Sequence, residues 1–161
     1  MDTTTFDFFQ SGMALVFLGA CIAAVAGAIG SAIGSGIVGQ AATGVSSEKP
    51  ELGMKAAILE ALPGSQVIYG FVGLFFVIYV VLPTLGDTVT TTQGFQILLS
   101  VLPVSISGVI SGYYQGKVLA GSMAMLAKDE GSFANAMIMG AIVETVAILG
   151  LLGSILMLLK V

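Results

Sequence analysis

Long apolar runs separated by short polar ones set the reading of this chain. The runs fall at about Ser11–Val45, Met54–Leu82, Gln93–Ala127 and Phe133–Leu159, with polar breaks at Ser46–Gly53, Pro83–Thr92 and Lys128–Ser132. Crossing the hydrocarbon of a bilayer takes about 20 apolar residues at about 1.5 Å each. Every run exceeds that, so the helices are expected to tilt or to project from the membrane. The period-two alternation of a closed β-barrel, the other spanning design, is missing. The pattern predicts an all-α membrane protein with four transmembrane helices in two hairpins.

The hairpins are copies. At an offset of 80 and without a gap, Ser31, Gly36 and Val38 fall on Ser111, Gly116 and Val118. Ala56 and Ile58 fall on Ala136 and Ile138, and Gly70 and Gly73 on Gly150 and Gly153. A repeat of this kind defines the structural unit. The expected division is a first hairpin over residues 1–84 (spans about 11–45 and 54–82) and a second over 85–161 (spans about 93–127 and 133–159). An even number of spans separates the copies, so both have the same orientation.

Composition narrows the class. Of 161 residues 57% are hydrophobic and only 9% charged, against about 25% charged in an ordinary soluble domain. All five basic residues are lysine and the net charge is −4, which leaves no nucleic-acid footprint. No histidine is present, and the single cysteine, Cys21, excludes an internal disulfide and a cysteine-based zinc site. Phe17–Cys21 has the look of a lipoprotein signal, but that signal needs a basic start. Residues 1–10 hold Asp2 and Asp7 and no base, so Cys21 reads as a small helix residue in a retained span. Lys49, Lys55 and Lys128 lie in or beside the loops within the hairpins, opposite Asp2, Asp7, Asp87 and the lone Lys160. The lysine bias predicts those loops in the cytoplasm and both termini outside.

The first span reads GAIGSAIGSGIVG from Gly27 to Gly39. Gly34–Gly39 fits GxGxxG literally, but a dinucleotide site needs that pattern between a strand and a helix. The physical reading is packing. Gly27, Gly30 and Gly34, with Ala23 and Ser31, make a face nearly free of side chains, which lets helix backbones approach closely in lipid. Ser105, Gly108, Ser111, Gly112 and Gly116 repeat this in the third span. The first and third helices should therefore crowd together, with the second and fourth outside them. That arrangement suits many copies standing in a ring.

Within AIVETVAILG (Ala141–Gly150) one acid, Glu144, interrupts an apolar span. A charge near the middle of a spanning helix costs about 2.5–3.5 kcal/mol on insertion scales, so it marks a functional site. Glu144 stands 15 residues past Asp129, Gln115 stands 14 before it, and Ser65 and Gln66 stand 16 and 17 past Lys49. Three helices thus bring oxygen-bearing side chains to one level. Tyr69, three residues after Gln66, is placed to share its face. Pro63 cannot donate to the Leu59 carbonyl, so a loosened carbonyl beside Ser65 is expected to join the set. A carboxylate, two amide oxygens, a hydroxyl and a carbonyl suit a hard cation. A single negative charge suits a monovalent one, Na⁺ before H⁺, whereas a proton needs only a carboxylate in dry surroundings. Offset by 80, Glu144 corresponds to Gly64 and Thr145 to Ser65, so one ion site per chain is expected. Glu60, a second intramembrane acid, reads either as an accessory or access group or as an interfacial acid near Lys55.

LPGSQVIYG (Leu62–Gly70), QGKV (Gln115–Val118) and VETVAILG (Val143–Gly150), with the glycine-rich first span and the duplication, resemble the 16-kDa proteolipids of rotary V-type ATPases. These are duplicated c-type rotor subunits, called subunit K in bacteria. LPGSQxxYG is similar to the sodium-pumping bacterial members. The resemblance implies Na⁺ ligands at the Leu62 carbonyl, Ser65, Gln66, Gln115 and Glu144. Tyr69 would hold the Glu144 carboxylate; Thr145, Pro63 and Glu60 are read from their own places in the chain as supporting residues. Ser65 stands where the sodium type has threonine, and Glu60 where a neutral polar residue is usual. The resemblance also implies a ring of copies, a stator subunit whose positive side chain displaces the ion, and a central stalk joined to a soluble ATP-hydrolysing head. The expected home is a bacterial plasma membrane. This chain is itself expected to be non-catalytic, to need no organic cofactor, and to have no Walker-type GxxxxGK[ST]. A proton-carrying rotor is the first alternative, and a stand-alone channel or transporter is more distant, because transporter repeats are often inverted.

Overall fold

The computed structural model describes residues 12–86 and 88–161. Four long apolar helical spans make up nearly all of it: α1 (Gly12–Glu48), α2 (Pro50–Thr84), α3 (Thr91–Lys128) and α4 (Glu130–Leu158). Asp2, Asp7 and Asp87, used in the expected orientation, and Ser11, the expected start of the first span, lie outside the described residues.

The loops within the hairpins are tighter than the polar breaks suggest. Ser46–Glu48 continues α1, and Lys49 alone separates it from a 3₁₀ turn, Pro50–Leu52, that opens α2. Proline suits a first helical position because its missing N–H has no partner to lose there. Asp129 is the matching break in the second hairpin; its extended backbone turns the chain and its carboxylate accepts from the Gly131 N–H at 2.9 Å. At the other end Thr90 and Gln93 form a reciprocal capping box that starts α3. The two loops are tied together by Lys55–Glu130 at 2.7 Å and by Lys49, which donates to the Ala127 carbonyl.

Prolines decide where the spans are irregular. Pro63 sits in a 3₁₀ turn, Leu62–Gly64, between two α-helical parts of α2. Ahead of Pro83, Val77–Val81 widens to a π-helix, as expected where a proline cannot return the regular bond to the carbonyl four residues earlier.

α1 and α3 form the inner pair. A β-carbon on Gly30 or Gly34 would overlap the carbonyl of Gly108 or Gly112, and one on Gly112 or Gly116 would overlap the carbonyl of Gly30 or Gly34. Backbone meets backbone along this seam. α2 lies in the groove between α1 and α3, with Gly27 against the Gln66 carbonyl and Gly70 against that of Ala23, and it also reaches α4. α4 rests mainly on α3. The core has two clusters, one toward the chain ends around Val16, Val77, Ile97 and Val104, the other toward the loops around Val38, Leu59, Leu119 and Leu126. Polar side chains occupy the level between them.

Candidate ion-binding site

That level is where α2, α3 and α4 converge. Glu144 is half-buried on α4. Its Oε1 accepts from the Tyr69 hydroxyl of α2 at 2.6 Å, and its Oε2 accepts from Gln115 Nε2 of α3 at 3.4 Å. The same Gln115 amide donates to the Gly140 carbonyl at 3.1 Å. Gln66 Nε2 in turn donates to Gln115 Oε1 at 2.8 Å and to Ser111 Oγ at 3.4 Å. Both glutamines are fully buried, and in lipid an unpaired amide at such a depth would cost several kcal/mol. The chain Tyr69–Glu144–Gln115–Gln66–Ser111 therefore satisfies itself across three helices.

Ser65 closes the α2 side. Its hydroxyl donates to the Leu62 carbonyl at 3.1 Å and lies 3.4 Å from Gln66 Oε1. Here one expectation is corrected. The Leu59 carbonyl, left without its usual donor by Pro63, is not loose: the Leu62 N–H takes it in an i→i+3 bond. The helix tightens rather than opens, and the irregularity moves one turn on. The carbonyl beside Ser65 is that of Leu62, which accepts from the Ser65 N–H as well. Pro63 itself is buried against Gly34 of α1, so its part is to seat this turn on the inner helix.

Thr145 and Glu60 are not brought to the cluster. The Thr145 hydroxyl bonds back to the Ile142 carbonyl at 2.7 Å on an exposed face of α4. Glu60 lies on another flank of α2, with its carboxylate across Gly39 of α1. Sequence reasoning passed over three contributors: Ser31, whose hydroxyl accepts the Val67 N–H at 2.8 Å just past the kink; Ser111; and the Gly140 carbonyl. The two serines stood in the small-residue stripes, where their size was read and their hydroxyls were not.

Chemically, the arrangement offers oxygen and only one formal charge. Gln115 Nε2 can only donate, so the Glu144 oxygen facing it accepts. Gln115 Oε1 keeps a second lone pair beyond the one used by Gln66. Among the described residues no group of three or more His, Cys, Asp or Glu is placed to hold a metal. A divalent site of clustered acids does not exist there.

A family model described as the C subunit of ATP synthase matches the chain twice, over residues 18–77 and 98–157. The two matches are displaced by the same 80 residues as the repeat. The chain is 39% identical over 151 residues to the V-type sodium ATPase subunit K of Enterococcus hirae, covering 94% of each. It is 31% identical over 144 residues to the A-type ATP synthase subunit K of Methanocaldococcus jannaschii, covering 89% of this chain and 61% of that relative's length.

Proposed function

Because the chain belongs to the family of the ATP synthase C subunit, as a duplicated rotor proteolipid of a V/A-type ATPase, we propose that its cargo is Na⁺ carried at Glu144. The observation that carries this reading is the hydrogen-bonded chain across α2, α3 and α4, in which both oxygens of Glu144 accept from donors. The amide, hydroxyl and carbonyl oxygens grouped beside that carboxyl suit a coordinated cation better than a proton, which needs the carboxyl alone. The sodium ATPase among the relatives supports the same choice.

In this reading Glu144 Oε2, Gln115 Oε1, Gln66 Oε1, Ser65 Oγ and the Leu62 carbonyl are the oxygens that replace the ion's water. Tyr69 holds the carboxylate while the ion is in place. Copies stand in a ring with α1 and α3 inside and α2 and α4 outside, divided into hairpins after Thr84. The loops face the cytoplasm of a bacterial cell and carry the contacts to the central stalk. A positive side chain on a stator subunit displaces the ion as each copy passes. Hydrolysis in the soluble head supplies the work, about 2.3 kcal/mol for each charge moved against 100 mV.

Carbodiimide labelling of Glu144 in the intact complex tests the cargo. Millimolar Na⁺ at neutral pH is expected to protect Glu144. Labelling that ignores Na⁺ and follows pH alone would establish the proton as cargo instead.

A further inference from the structure

A cavity of about 400 Å³ opens between α3 and α4, at the end of the bundle that carries the chain ends. Gln96, Leu99, Ser100, Met157 and Val161 are among the residues that line it. The first hairpin has the same groove, and there it is filled. Offset by 80, Gln96, Ser100, Met157 and Val161 correspond to Val16, Ala20, Val77 and Val81. All four of these are buried in one core cluster, which α3 closes with Ile97, Val101 and Val104.

The two grooves are built alike. A β-carbon on Gly70 of α2 would meet the Ala23 carbonyl of α1, and one on the equivalent Gly150 of α4 would meet the carbonyl of Pro103, the equivalent of Ala23. The difference is what comes next. The groove of the first hairpin is closed by the hairpin that follows it. Nothing in the chain follows the second hairpin, so its groove stays open.

The matching filler is on the same molecule. The equivalents of Ile97, Val101 and Val104 are Phe17, Cys21 and Ala24 of α1. Phe17 is 48% exposed and Cys21 is exposed as well. The helix period sets both on a flank of α1 other than the glycine face that meets α3. An open groove at one end and its complement at the other are what a stack of repeats leaves at its two ends, each unit touching only its neighbours. Because the two patches differ, copies join head to tail, and such an interface closes into a ring when its rotation allows. We propose that the cavity between α3 and α4 is the socket for Phe17 and Cys21 of the next copy. This rests on the ring reading above.

The lining departs from the template at its rim. Gln96 and Lys160 stand where the first hairpin has Val16 and Val80. Gln96 is five residues into α3 and Lys160 two past α4. Both are close to the membrane surface, which the long lysine stem lets its ammonium reach.

The test is cross-linking in membranes that hold the intact complex. In the first hairpin a β-carbon on Gly19 would lie 3.6 Å from Val101 Cγ2. Leu99 and Cys21 are the equivalents, so Leu99→Cys should set a new thiol against the native Cys21 of the next copy. Oxidation by copper phenanthroline is expected to give a ladder of dimers, trimers and longer species on denaturing gels. L99C combined with Cys21→Ser should give monomer alone. Ser100→Cys offers a second position against the same Cys21. Phe17→Ala should lower by several degrees the temperature at which rings come apart on native gels. Rings that assemble yet give no ladder from either new cysteine overturn the proposal. So does F17A with wild-type ring stability, the result expected if a lipid tail fills the cavity. If the wild-type chain forms no ring, the rotor reading fails and the socket with it. A ladder from rings whose Glu144 is not protected by Na⁺ sustains the socket and removes only the sodium reading.

Discussion

The two hairpins share a backbone plan and differ in what they place at one level of it. In the second, α4 presents Glu144 to Tyr69, Gln115 and, through Gln115, Gln66. In the first, the equivalent position is Gly64, while its Ser65, Gln66 and Tyr69 correspond to Thr145, Val146 and Leu149 of the second. Those three are exposed on α4, and the one hydroxyl among them bonds to its own helix. Duplication thus repeated the backbone plan, and only the second hairpin places a carboxylate at this level, with donors at both of its oxygens. The difference teaches that the fold supplies the level and a handful of side chains decide whether it holds a carboxylate.

The strongest way to break this comparison is to move the carboxylate. Glu144→Gln should reduce ATP-driven Na⁺ uptake in reconstituted vesicles to background. Adding Gly64→Glu should not restore it, because the relocated acid meets no equivalent of Tyr69 or Gln66; recovery of uptake would show that the two seams are equivalent after all. Next in size is the shared scaffold. Gly30→Val forces side-chain atoms into the Gly108 carbonyl, and overpacking of this kind costs about 1–3 kcal/mol or more. Rings of this variant should dissociate at lower temperature on native gels, whereas Gly36→Ala, with open space around it, should match the wild type.

Within the cargo seam, Gln115→Ala removes the donor at Oε2 and the acceptor for Gln66 together. A hydrogen bond to a charged group contributes about 1.5–3 kcal/mol, so half-protection of Glu144 should need about ten-fold more Na⁺ or beyond. Tyr69→Phe loses only the 2.6 Å bond to Oε1. It should weaken protection less than Gln115→Ala, with faster exchange of bound ²²Na⁺ as the clearer sign. Smallest is Thr145→Val, on the seam without donors, expected to stay within about 0.5 kcal/mol of wild type in both stability and protection. A larger effect would mean that this seam takes part in binding.

Much of this was legible in the chain because membrane helices simplify the problem. Run length gives the spans, and counting from the loops gives the depth, so Glu144, Gln115, Ser65 and Gln66 could be set at one level without coordinates. Depth does not give direction as firmly. Thr145 shares the level of Glu144 yet points along another face, about 100° round the helix. Nor does it say how a proline redistributes its lost bond: the Leu59 carbonyl took the Leu62 N–H, and the Leu62 carbonyl took both the N–H and the hydroxyl of Ser65. Ser31 and Ser111 were seen as gaps between helices, since a small residue in a glycine stripe gives no sign that its hydroxyl is also spent on a neighbour. The short loops escaped notice because Ser46–Glu48 is polar by composition and helical by continuity with α1.

The glycine seam between α1 and α3 has a mechanical side. Where Gly30, Gly34, Gly112 and Gly116 press main chain on main chain, there are no rotamers to rearrange and no compressible side-chain layer between the rods. A twist of one of these two helices is therefore passed to the other with little loss.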